Sequence, residues 1–135
     1  MNFEENLKQG YAKKVTINKL RAENLIKSAE QAIKTAKTIP LDENSAKTIL
    51  RELYEGLREC SEAIGYVKGY KFLSHETITN FIEDILKNKR VAEKFDRYRK
   101  IRNGINYYGE NVEIETVSDA VKEIPELIKE LKKYF

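Results

Sequence analysis

Apolar positions recur at three- and four-residue intervals along almost the whole chain, the period of helices that bury one face. The clearest run is Ala46, Leu50, Leu53, Leu57, Cys60, Ile64 and Val67, which predicts a long core helix. Before it, Ala22, Leu25, Ile26, Ala29, Ile33 and Ala36 predict a helix from about Thr16 to Lys37, whose alanines let a neighbouring helix come close. Pro40 ends that segment, and Leu41-Asp42-Glu43-Asn44-Ser45 supplies capping side chains for the next one. At the start of the sequence Asn2 caps a short helix with Phe3 and Leu7 on one side, broken at Gly10.

Gly65, Gly69 and the aromatic cluster Tyr66, Tyr70 and Phe72 mark the exit from the long helix. Ser74 reads as the N-cap of a further helix using Ile78, Phe81, Ile82, Ile85 and Leu86, with Leu73 and Ile78 as a hydrophobic staple. His75 then falls at the first helical position, where it is expected to be exposed and without a partner. A helix from about Lys89 carries Val91, Phe95, Tyr98, Ile101, Ile105 and Tyr108, and a last one runs from about Val117 to Tyr134 with Val121, Ile124, Leu127, Ile128, Leu131 and Phe135 inward. Pro125 interrupts this stripe and predicts either a later start or a kink. Between the two, Gly109 to Glu115 reads as an extended loop rather than a paired strand. The pattern specifies an all-α, up-and-down bundle of about five helices in a single domain spanning residues 1–135.

Composition supports this picture, since two prolines and six glycines leave little room for a many-turned β fold. A single Cys and a single His exclude a disulfide framework and a Cys/His zinc site. Cys60, inside the apolar stripe, reads as a small buried hydrophobe rather than a reactive thiol. No metal and no cofactor are expected. The opening MNFEENLKQG has acidic residues and no signal-like apolar core, and no apolar run reaches the length of about eighteen residues that a membrane span needs. A cytoplasmic protein without membrane association is the expectation.

Candidate chemistry gathers in "RYRKIRNGINYYG", Arg97 to Gly109. At helical periodicity Arg102 projects between Phe95 and Tyr98, inside the apolar sector. A guanidinium there is costly unless an anion or strong acceptor meets it. Two partners fit: a carboxylate from the acid-rich helix containing Glu52, Glu55, Glu59 and Glu62, or a phosphate matched to the planar fork of Arg. Asn106 follows one turn later on the same face and is expected to orient Arg102 or hold a phosphate oxygen, whereas Asn103 and Tyr107 lie further round. Gly104 weakens the helix here, either for close approach of a ligand or second chain or through mere tolerance. From Lys87 to Arg102, eight basic residues against Glu93 and Asp96 put a net +6 into a chain whose total is +3. Arg97, Arg99 and Lys100 would then form a supporting basic face, with Tyr98, Tyr107 and Tyr108 stacking on bases. The bland alternative is a solvated helix face.

The motif "IRNGINYYG" resembles the signature of the HEPN domains (higher eukaryotes and prokaryotes nucleotide-binding), an Arg often followed by Asn with a His shortly beyond, late in an all-α bundle. Arg102 and Asn103 stand in place, and Tyr107 stands where the His belongs. The helix order and the long central helix with "YEGLRECSEAIGYVKGYKFLSH" are also similar, so the resemblance spans nearly the whole chain. It implies a homodimer whose motifs face a shared cleft, with members that are metal-independent endoribonucleases, toxins neutralised by a minimal nucleotidyltransferase, or binders of nucleotide or RNA. Tyrosine titrates near about 10 and is a poor general base at neutral pH. The expectation is therefore RNA or nucleotide phosphate binding at Arg102, Asn103, Asn106 and Tyr107 with weak or absent cleavage. The alternatives are a nucleotidyltransferase partner subunit, a ribonuclease that recruits His75, and a structural bundle with Arg102 in a buried ion pair.

Overall fold

The computed structural model describes residues 1–135 as an all-α bundle with a small two-stranded sheet at one end. The six helices are α1 (Phe3–Lys8), α2 (Lys19–Thr38), α3 (Ala46–Lys68), α4 (His75–Asp84), α5 (Lys89–Tyr108) and α6 (Ile114–Lys132). α3 is the axis of the molecule, touching α2, α4, α5 and α6. Its predicted stripe is buried from Ala46 to Ile64, with Val67 at the margin. One continuous core joins α3 to Phe81 and Ile82 of α4, Phe95 and Tyr98 of α5, and Ile124, Leu127 and Leu131 of α6.

Local chemistry sets most boundaries. Asn2 and Glu5 form a capping box on α1, and Asn18, Ser74 and Asn88 accept the N–H of Arg21, Thr77 and Val91 at the starts of α2, α4 and α5. α2 thus begins after Asn18 rather than at Thr16. α3 ends at Gly69, whose φ of 86° lies in the left-handed region that glycine enters without steric cost. The chain then turns into β2 (Tyr70–Phe72), which pairs antiparallel with β1 (Ala12–Lys14), Ala12 opposite Phe72 and Lys14 opposite Tyr70. These three-residue strands are too short to show a period of their own in the sequence. Phe3, Tyr70, Phe72 and Phe81 pack as an aromatic cluster between the sheet and the bundle.

Several expectations are corrected. α6 starts at Ile114, earlier than Val117, and contains Pro125 inside it, so the later start does not occur. Phe135 is 45% exposed, Tyr108 77% and Leu73 50%, because each lies at or beyond the end of its helix, where no opposing element covers it. Gly109 to Glu113 is unpaired, as the loop reading requires. No helix is long and apolar enough to cross a membrane.

Candidate phosphate site

α5 packs against both α3 and α4, and in its C-terminal half Arg102 and Asn106 face Tyr54 and Arg51 of α3. Its Cζ is 5.7 Å from the ring centre of Tyr54 on α3 and 5.8 Å from that of Tyr107 on its own helix. The Tyr54 ring is buried and the Tyr107 ring is exposed, so the guanidinium is near one ring fixed in the core and one that faces solvent. Such cation–π contacts contribute about 0.5–2 kcal/mol each without cancelling the charge.

No carboxylate meets Arg102. The acid-rich face of α3 is engaged elsewhere: Glu55 and Glu62 both pair with Arg58 of the same helix. The buried ion pair considered for Arg102 is therefore absent: a nearer arginine takes Glu55 and Glu62 at helical spacing, and Glu52 and Glu59 line a groove against α2. Arg102 Nη1 instead donates to Oδ1 of Asn103 at 3.2 Å. Asn106 does not orient Arg102; its Oδ1 accepts from Nε of Arg51 on α3 at 2.8 Å. Two arginines, Arg51 and Arg102, are thus held by neutral amide oxygens, which fix direction and leave the positive charge uncompensated.

The basic window does not form one face. Arg90 pairs with Glu130, Lys94 with Glu123, and both Arg99 and Lys100 with Asp96, so half of its eight cations are matched by carboxylates. Burial raises the affinity of the Asp96 carboxyl for its proton, but hydrogen bonds from Arg99 and Lys100 outweigh this and hold it below its ordinary range. Arg97 points away, over the ring of Tyr98 at 5.2 Å and into a groove of about 800 Å³ between α5 and α6. That groove alternates Lys and Arg with Asp119, Glu123, Glu126 and Glu130, and it excludes Arg102. Tyr98 cannot stack on a base, since it is fully buried with its hydroxyl donating to Glu123 at 2.6 Å. Among the predicted stacking tyrosines, only Tyr107 and Tyr108 are exposed.

His75 differs most from expectation. It is half-buried, and its Nδ1 lies 2.9 Å from the Tyr54 hydroxyl. Burial first, then the charges of Arg58 and Arg102, push its imidazole down to about 4. A signal for this side of the site exists in the sequence: Arg51, Tyr54 and Arg58 follow the same three-four spacing as the apolar stripe and so share one face of α3. Nothing in the pattern placed His75 against that face. No group of three or more His, Cys, Asp or Glu side chains is arranged to hold a metal ion. No protein-family model matches the chain, and no curated protein matches it.

Proposed function

We propose that this chain is a HEPN-like protein that binds RNA or a nucleotide through phosphate at a site centred on Arg102, without efficient cleavage. The observation that carries the reading is the half-buried guanidinium of Arg102, aimed by Asn103 and bracketed by Tyr54 and Tyr107, with no carboxylate to neutralise it. Its planar fork suits two phosphate oxygens at once, and Arg51, held by Asn106 one turn further along α5, is a second cation without a carboxylate partner. Tyr107 offers an exposed ring on which a base can stack. The likeness of "IRNGINYYG" to the HEPN signature supplies the ligand class and, with it, a homodimer whose two sites share a cleft.

Tyrosine at the motif's histidine position argues for binding over cutting. Losing a general base near neutral pKa lowers a rate by about 10²–10⁴. Titrating a fluorescent oligoribonucleotide into the wild type and Arg102→Lys tests the reading, since lysine keeps the charge but loses the fork. A roughly tenfold weaker complex is expected for the variant, with the wild-type oligonucleotide recovered intact in the absence of metal. If neither protein binds, or both bind alike, the reading fails.

A further inference from the structure

We infer that the hydrogen-bonded pair Tyr54–His75 is the second half of this site, with His75 presenting its Nε2–H to an oxygen of the phosphate that Arg102 holds. The inference rests on the phosphate reading above and adds to it a ligand-contacting residue from a different helix. Tyr54 is the connection. Its buried ring lies 5.7 Å from Arg102 Cζ and 5.7 Å, centre to centre, from the His75 imidazole, and it is backed by Phe95 at 5.7 Å. One rigid ring therefore sets the positions of both polar groups.

The hydrogen bond also selects the tautomer. A buried phenol proton needs an acceptor, and the Nδ1 lone pair is the one within reach. Burial, opposed by the charges of Arg102, Arg99 and Arg58, keeps the Tyr54 hydroxyl protonated well above its ordinary range, so it remains a donor. A neutral imidazole that accepts at Nδ1 carries its proton on Nε2, on the far edge of the ring. The imidazole's hydrogen bond within the chain is made through Nδ1, and because no buried side-chain nitrogen lacks a partner, Nε2 is open to solvent. His75 is thus a donor awaiting an acceptor rather than a base with a free lone pair, which agrees with a site that binds phosphate without cutting it.

The charged groups around the imidazole are Arg58 and Glu55 on α3 and Arg99 and Arg102 on α5. Three cations against one anion disfavour imidazolium in the free protein. An entering phosphate offsets those cations, so ligand binding and protonation of His75 reinforce each other.

His75 is the single histidine of the chain, which makes its ring resonances unambiguous. The probe is an oligouridylate with free hydroxyl ends, whose phosphodiesters do not titrate across roughly pH 5 to 8, the range that histidine alone normally spans; uridine monophosphate is the second arm and separates a free nucleotide from RNA as the source of the phosphate. In the free protein, nitrogen NMR should find the Nε2–H tautomer. Saturation with the ligand that binds should move that signal and raise the proton affinity of the ring at least about tenfold. Acidification should then tighten binding by the wild type but not by His75→Asn, which retains an acceptor for Tyr54 and lacks Nε2–H; at neutral pH this variant should bind about tenfold more weakly. Tyr54→Phe, which preserves the ring, should release the tautomer and lose part of the affinity. If His75 is unmoved by a ligand whose binding Arg102→Ala abolishes, the pair is structural and the inference is overturned while the phosphate reading stands. A free histidine found as the Nδ1–H tautomer overturns the donor role as well. If neither probe binds the wild type, the phosphate reading fails and this inference with it.

Discussion

A half-buried neutral histidine makes part of the stability of this fold depend on pH. In the folded chain His75 titrates at about 4, mainly through burial, against an ordinary value of 6.5. Between those values the unfolded chain takes up a proton that the folded chain refuses, so stability falls as pH drops from 6.5 towards about 4. Above 6.5 the residue contributes no pH dependence. Asp96 and Glu123, both held below the ordinary carboxylate range, stabilise the fold above that range and lose their contribution as pH falls through their folded values. Their effect cancels when wild type and His75→Asn are compared. Urea midpoints measured near pH 7 and near pH 5 should therefore show the wild type losing more stability than the variant on acidification. Cys60 belongs to the same scale: burial pushes its thiol up to about 12, and the side chain has no exposure. Thiol reagents should label it only at the rate of unfolding, so denaturant should accelerate labelling by orders of magnitude.

At the scale of elements, the helix pairs differ in how tightly they meet, and two glycines report the difference. A Cβ on Gly56 of α3 would lie 2.8 Å from Ile33 Cδ1 and 3.1 Å from the Ala29 carbonyl oxygen of α2. Backbone blocks relief there, so Gly56→Ala should cost about 1–3 kcal/mol. At Gly104 the nearest atoms belong to the Glu110 side chain, which can swing into solvent. The close approach foreseen at this glycine is thus made by the chain's own loop. Gly104→Ala should be neutral or gain up to about 1 kcal/mol from helix propensity, and thermal unfolding of the two variants checks both values. The alanine stripe of α2 announced a close neighbouring helix, which the fold supplies as α3, because small side chains on the buried face let two backbones approach. The β1–β2 pairing was not legible, since two three-residue strands far apart in the sequence become neighbours only through α3. Nor was Tyr54–His75, because the tilt of α4 against α3 decides whether their side chains meet.

For the molecule as a whole, charge placement decides what the surface can recognise. The net +6 of the Lys87–Arg102 window suggested a continuous basic face, yet helical geometry turns Arg97 towards α6, Arg102 towards α3, and Arg99 and Lys100 onto Asp96. What could be read in advance was the anomaly of Arg102 in an apolar sector; its lack of a carboxylate could not, because the engagement of Glu55 and Glu62 by Arg58 depends on side-chain choice within α3. Ligand binding should accordingly depend on a few oriented arginines rather than on bulk charge. Neutralising Lys100, which is already paired, should leave affinity within about twofold. The central claim is tested most directly by the dissociation constant of an oligouridylate for wild type and Arg102→Ala at two salt concentrations. The account predicts a loss of at least about tenfold at each salt and a salt slope shallower by about one in the variant; equal affinities and equal slopes would contradict it.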